Sequence, residues 1–257
     1  MNIIALIPTS TSLSPTTASV APAVLSNALG AANFSVPSGA TIEAAVQGAV
    51  ERERWARIKL LALDVDGVLT DGSLCFDENG SLLQTFYARD GFGLVAARRA
   101  GLTIAWISGR ASRVAEKRFA ELELHHCILA CADKAGALRD LQARYGFTPA
   151  DCCFVGDDLP DLPAFSMCGL NVAVADAVTE VIQRADYVTR ANGGRGAVRE
   201  VVERILGAQN HWDQLMSRFT EQEVAIESTA TESTATESTA NATRASKTRA
   251  PIENLQR

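Results

Sequence analysis

Ile58-Lys59-Leu60-Leu61-Ala62-Leu63-Asp64-Val65-Asp66-Gly67-Val68-Leu69-Thr70-Asp71-Gly72 is the stretch that decides the architecture. A nearly continuous apolar run over residues 58–65, broken off by acidic residues, has the character of a strand covered on both faces. Four more runs of this kind follow, at residues 102–107, 127–130, 152–155 and 171–174. Helical stretches separate them, and Gly101, Gly146 and Gly207 stand where a glycine would close a helix. Strand and helix alternating at this spacing imply an α/β fold, a doubly wound parallel sheet. One insertion interrupts the rhythm. Residues 74–76 and 82–86, joined by Asp77-Glu78-Asn79-Gly80, predict a β-hairpin with an Asn-Gly turn.

The flanks differ in kind. Residues 1–40 are rich in Ser, Thr, Ala and Pro without a period, and read as a disordered extension. Residues 221–257 contain Glu227-Ser-Thr-Ala-Thr, which recurs at Glu232 and nearly so at Glu237; small polar repeats cannot bury a core, so a solvated tail is expected. Between them, residues 41–220 form the expected domain, opened by an amphipathic helix over 41–57 with Thr41 as its cap.

The net charge of −6, with no long basic run, points away from nucleic acid and from anionic membrane surfaces. The early apolar run, residues 3–7, is too short for a signal core, and no run approaches the roughly 20 apolar residues of a membrane span. The six cysteines are sparse for a chain of 257 residues, so reduced thiols in a cytoplasmic protein are expected. His125, His126, Cys127 and Cys131 match no usual zinc spacing, and neighbours along a strand face opposite ways.

Ligands of an open parallel sheet sit beyond the carboxyl ends of its strands. Those ends carry Asp64 and Asp66, then Ser108-Gly109-Arg110, then Asp133-Lys134, then Gly156-Asp157-Asp158 with Asp161 close behind. Singly, each has an ordinary reading as a cap, a turn or a solvated residue. In this order, each at a strand end, they resemble the four motifs of the haloacid dehalogenase superfamily of phosphotransferases.

That resemblance implies a set of roles. Asp64 would be the nucleophile that forms an acyl phosphate, and Asp66 the acid that protonates the leaving alkoxide and later deprotonates water. Several carboxylates beside a phosphate dianion need a cation, and Mg2+ suits oxygen ligands. It would be held by Asp64, the main-chain carbonyl of Asp66, and Asp157, with Asp158 in support. Ser108, the Gly109 amide and Lys134 would hold the phosphate oxygens.

Neither interval between motifs has room for a separate cap domain, so specificity is expected to come from a neighbouring subunit. The hairpin's Leu74, Phe76, Leu82, Leu83, Phe86 and Tyr87 are more apolar surface than a lone hairpin should show. Narrower signals are Arg89-Asp90-Gly91-Phe92-Gly93 and Gly193-Gly-Arg-Gly-Ala-Val-Arg-Glu200. With the motifs above, they make residues 50–210 similar to the 3-deoxy-D-manno-octulosonate 8-phosphate phosphatase family. The likeness implies a capless homotetramer acting on a small phosphorylated sugar acid in lipopolysaccharide synthesis. It sets Tyr87, Ala88, Arg89, Asp90, Gly91, Arg110, Arg118 and Lys134 on the substrate side, and Arg195 on a mobile tail that reaches a site. Leu129-Ala130, where relatives often have Gln-Gly, and Val95, where some have a basic residue, depart from the pattern. A sister branch acting on N-acylneuraminate 9-phosphate and a silent scaffold are the competing readings; the presence of Asp66 disfavours the scaffold.

Overall fold

The computed structural model describes residues 42–218, so the readings made for residues 1–40, for Thr41 and for residues 221–257 lie outside the described residues. The chain divides into two units, residues 1–50 and 51–257. Of the first, the described part is the start of helix α1 (Ile42–Ala56).

The second unit is built on six parallel strands: β1 (Leu60–Leu63), β4 (Thr103–Ile107), β5 (His126–Ile128), β6 (Cys152–Gly156), β7 (Leu170–Ala173) and β8 (Tyr187–Val188). Their order across the sheet is β5-β4-β1-β6-β7-β8. Leu60 is in register with Thr103 on one side and with Cys152 on the other. The doubly wound parallel sheet read from the sequence is therefore the sheet observed. β8 escaped that reading because it is two residues long and carries no apolar run. The chain builds outward from β1 to β4 and β5, then returns to lay β6 on the other side of β1. A crevice opens at that reversal, between the carboxyl ends of β1 and β6.

The connections are α2 (Ala88–Arg99), α3 (Arg113–Glu121), α4 (Lys134–Tyr145), the short α5 (Leu162–Phe165) and α6 (Thr179–Ile182), and finally α7 (Ala197–Ala208). β1, β4 and β6 are buried along their whole length, as their apolar sequences require. α7 turns Val198, Val201, Val202, Ile205 and Leu206 inward at helical spacing. Among the described residues no helix is long and apolar enough to cross a membrane. All six cysteines are free thiols, and Cys152, Cys153 and Cys168 are buried. His125 Nδ1 accepts from the Ile104 amide at 3.1 Å, whereas His126 Nε2 meets the Tyr145 hydroxyl at 2.7 Å, so the two rings do not converge on one ligand.

The inserted hairpin is present, with β2 (Cys75–Phe76) antiparallel to β3 (Leu82–Leu83). Asp77 Oδ1 accepts from the amides of Asn79 and Ser81 at 2.9 and 2.7 Å, and Gly80 takes φ +76°. Phe76 and Leu83 are 57% and 56% exposed, so the hairpin tip does not fold back onto its own domain, whereas Phe86 after it stacks on Trp106.

Gly146 caps α4 at φ +67°, and Gly101 follows α2 at φ +98°, as read from the sequence. Gly207 does not close α7. The helix runs on to Ala208, and Asn210 supplies the left-handed residue at φ +60°. Burial of Ile205 and Leu206 outweighs the helix cost of one glycine, about 1 kcal/mol. A Cβ at Gly207 would meet nothing within 4 Å. Gly207→Ala is therefore expected to raise the unfolding free energy by about 1 kcal/mol in urea titration, with no change in activity.

Candidate active site

Beyond the crevice between β1 and β6 lies an open cleft of about 570 Å3, whose walls include Asp64, Asp66, Ser108, Arg110, Lys134 and Asp157. Three carboxylates meet on its floor. Asp64, Asp157 and Asp161 each place an oxygen within 4.8 Å of the others. Lys134, the first residue of α4, is 6% exposed, and its Nζ lies 2.8 Å from Asp64 Oδ1 and 2.6 Å from Asp161 Oδ1. Asp161 Oδ2 also accepts from the Asp157 amide at 2.9 Å, which fixes the loop after β6. Asp158, expected to support the cation, is exposed and caps the turn Leu159–Asp161 instead. Asp161, which the sequence reading gave no metal role, is the third acid of the cluster in its place.

Two glycines permit this convergence. A Cβ on Gly67 would lie 2.1 Å from Asp157 Oδ2, and one on Gly156 would lie 2.6 Å from Asp161 Oδ2. Gly67 also takes φ +95°.

Burial drives the electrostatics. It pushes the Asp64 carboxyl up to about 6, with Asp161 adding to the rise and Lys134 opposing it. Burial, then the charge on Asp64, pushes Asp157 up to about 8. Burial also works against the Lys134 charge, but Asp64 and Asp161 outweigh it and its pKa rises. Asp157 Oδ1 is buried with no hydrogen-bond partner. Two buried acids and one half-buried acid against one ammonium, with one acid oxygen unpaired, fit a divalent cation with oxygen ligands.

A pH dependence follows. An acid whose pKa is higher folded than unfolded binds its proton more tightly in the folded state. Its stabilising effect is full below about 4 and is lost as pH rises through about 6 and 8, the positions of Asp64 and Asp157. In chelator, Tm is expected to fall between pH 5 and pH 8. Added Mg2+ should raise Tm more at pH 8 than at pH 5, because only ionised carboxylates bind it. A Tm that climbs with pH in chelator would contradict this.

Asp66 turns its side chain away from the acidic floor. Oδ1 accepts from Gln84 Nε2 at 2.7 Å and Oδ2 faces Arg110 Nε at 3.4 Å. The side chain thus lies with Gln84 and Arg110 rather than with Lys134. Ser108 is 3% exposed at the end of β4, and its Oγ accepts from the Arg110 amide at 3.1 Å. The Cys131 amide donates to the Ser108 carbonyl at 2.9 Å and the Ala130 amide to the Arg110 carbonyl at 3.2 Å, which ties the second motif to the loop that presents Lys134. Ala130 holds φ +52°, a conformation that glycine adopts freely.

The structure brings Asp64, Asp66, Ser108, Gly109, Arg110, Lys134 and Asp157 to one cleft. Within one chain it does not bring Tyr87, Ala88, Arg89, Asp90, Gly91 or Arg118 there. Tyr87, Asp90, Gly91 and Arg118 surround a separate void of about 10 Å3. Arg89 lies over the Tyr87 ring at 5.9 Å, and Ala88 is exposed. Asp90 is 1% exposed and accepts from the amides of Gly196 and Arg199 at 3.3 and 2.7 Å, capping α7 from another helix. Burial pushes its carboxyl up to about 6 against those two bonds.

The glycine-rich stretch expected to be a mobile tail is held within the chain. The Gly194 amide donates to the Val68 carbonyl at 2.8 Å, Gly193 donates to Asp176 Oδ1 at 2.9 Å, and Arg195 pairs with Asp71 at 3.2 Å. Sequence reasoning missed Gln84, Ser112 and Asp176. None belongs to a recognised motif, and each is linked to the site by a contact distant in sequence.

Known proteins are similar to this chain in sequence and fold. Residues 124–202 match the model of the haloacid dehalogenase-like hydrolases. The 3-deoxy-D-manno-octulosonate 8-phosphate phosphatase of Escherichia coli strain K12 is 45% identical over 157 residues, spanning 61% of this chain and 84% of that protein. The same-named protein of Haemophilus influenzae is 40% identical over 158 residues, 62% of this chain and 88% of that one. Among solved structures, the Moraxella catarrhalis phosphatase, in complex with magnesium, phosphate and KDO, superposes with a TM-score of 0.64 at 39% identity, covering 65% of this chain and 97% of that one. A cobalt-bound form of the Haemophilus influenzae phosphatase gives 0.60 at 40% identity, covering 62% and 93%.

A parallel sheet with acids from two adjacent strand ends around a buried lysine defines a haloacid dehalogenase-like hydrolase. Between its motifs stand a hairpin, helices and a short strand, and no second domain. The chain belongs to the 3-deoxy-D-manno-octulosonate 8-phosphate phosphatase family.

Proposed function

We propose that this chain is a magnesium-dependent phosphatase that hydrolyses 3-deoxy-D-manno-octulosonate 8-phosphate to the free sugar acid and phosphate. The observation that carries the reading is the convergence of Asp64, Asp157 and Asp161 about the buried Lys134, open to a cleft that also holds Asp66.

Lys134 holds Asp64 Oδ1, which leaves Oδ2 to attack phosphorus. The new bond is Asp64 O–P and the broken one is the ester P–O; the proton of Asp66 goes to the departing sugar oxygen. Asp66 then takes a proton from the water that cleaves the aspartyl phosphate. Ser108 Oγ, the Gly109 amide and the Lys134 ammonium hold the non-bridging oxygens. Asp64, Asp157 and the Asp66 carbonyl would hold Mg2+, which would neutralise charge at the phosphoryl group.

The cleft is open, and the exposed Phe76 and Leu83 of the hairpin are suited to meet other copies of the chain. A homotetramer is the assembly proposed, with Tyr87, Arg89 and Arg118 reaching the cleft of a neighbouring subunit. The compartment proposed is the cytoplasm, in keeping with six free thiols. Residues 1–40 and 221–257 are proposed to lie outside the catalytic domain.

The test is phosphate release from a panel of sugar phosphates with Mg2+, and with chelator as control. The octulosonate 8-phosphate should give the highest kcat/KM. A clear preference for N-acylneuraminate 9-phosphate would place the chain in the sister branch instead.

A further inference from the structure

We infer that Gln84 is a positioning residue for catalysis, fixing the carboxyl group of Asp66 through a hydrogen-bonded chain anchored on the first turn of α3. The inference rests on the reading of Asp66 as the general acid.

The chain has three links. The Ala115 amide donates to Ser112 Oγ at 3.1 Å, Ser112 Oγ donates to Gln84 Oε1, and Gln84 Nε2 donates to Asp66 Oδ1 at 2.7 Å. Gln84 spends its amide N–H on Asp66 Oδ1 and its carbonyl oxygen on the hydroxyl, so the proton Asp66 gives up as an acid belongs on Oδ2, the oxygen not bonded to Gln84. Ser112, in turn, accepts from the helix amide and gives its one proton to Gln84. Ser112 is 6% exposed and is the N-cap of α3, so the anchor is rigid.

Asp66 needs such a partner. Rotation about the last bond of an aspartate is soft, and a general acid must hold one chosen oxygen within about 2.6–3.2 Å of the ester oxygen. The other neighbour of the carboxylate, Arg110 Nε, stands off at 3.4 Å on a side chain 43% exposed. It is the weaker holder. With Oδ1 tied to Gln84, Oδ2 is the oxygen left on the Arg110 side of the cleft. Gln84 directly follows β3, so the hairpin's position is also transmitted to the acid.

An acid matters in proportion to how poor the leaving group is, which separates positioning from mere support. The full chain with Mg2+ is assayed on aryl phosphates of graded leaving-group acidity and on an alkyl phosphate, reading kcat/KM, which reports steps through the first departure. Asp66→Ala, measured alongside, should show a steep loss as the leaving group worsens. Gln84→Leu should lose about 10- to 100-fold on the alkyl phosphate and about 3-fold or less on p-nitrophenyl phosphate. Gln84→Glu keeps an acceptor for Ser112 and loses the donor to Asp66, so it should follow Gln84→Leu.

Equal losses on all substrates, or none, with Asp66→Ala still steep, would overturn the positioning role alone. A Gln84→Glu variant as active as the parent would do the same. A flat profile for Asp66→Ala would overturn the acid assignment itself, and this inference with it.

Discussion

Asp64→Asn is expected to abolish phosphate release, with kcat/KM down by about 10^4 or more, while the protein stays folded. The amide has the shape of the carboxylate but cannot attack phosphorus as an anion. It also removes one of three acids from a floor where burial already holds Asp64 near 6 and Asp157 near 8. Lys134 keeps its 2.6 Å contact to Asp161 and is not left unpaired. In chelator at pH 8, the variant should therefore melt at or above the parent's temperature. The rise in Tm produced by Mg2+ should shrink, because one ligand is lost. Activity and stability thus move in opposite directions, the signature of a group held in place for chemistry at a cost to the fold. Near-normal turnover by Asp64→Asn would end the covalent mechanism. A collapse of Tm would show that the carboxylate is a structural partner of Lys134 rather than a strained nucleophile.

How far the sequence could be read depends on the range of the forces involved. β1, β4 and β6 were legible because a strand buried on both faces must be apolar throughout, and Asp64, Ser108 and Asp157 were legible because they follow such strands. The hairpin was legible from its Asp-Glu-Asn-Gly turn, a local matter of positive φ at Gly80. The role of Asp90 was not legible. It lies in a motif that suggests substrate contact, yet its carboxylate caps a helix more than 100 residues away along the chain. The role of Gln84 was hidden for the same reason, since its partners are 18 and 28 positions distant. Gly207 misled in the other direction: a local stop signal yielded to the burial of Ile205 and Leu206 beside it. Local rules located the motifs, and contacts between distant segments decided what each motif residue touches.

Gly193→Ala is expected to cost the most of any single-methyl change. Gly193 is buried, and a Cβ there would fall 1.6 Å from the Gly67 carbonyl oxygen and 3.3 Å from the Val68 amide nitrogen. Both are main-chain atoms, so no side chain can swing aside. One of two segments must move by more than about 1 Å to restore ordinary contact. If residues 191–196 retreat, the bonds from Gly193 to Asp176 and from Gly194 to Val68 break, and the N-terminus of α7 is drawn off its cap at Asp90. If the loop after β1 retreats instead, Gly67 loses its fit beneath Asp157, and Asp66 shifts with it. Displacements of that size in a site commonly cost about 100-fold in rate, and breaking buried hydrogen bonds costs about 1–3 kcal/mol each. The expected result is a fall in kcat/KM of about 100-fold or more together with a loss of about 2–4 kcal/mol in urea denaturation, Gly207→Ala serving as the control in which the same methyl meets open space. If Gly193→Ala keeps parental activity and stability, the glycine-rich segment does not lie against the loop that carries Asp66, and the mobile tail implied by the family resemblance is the better description of it.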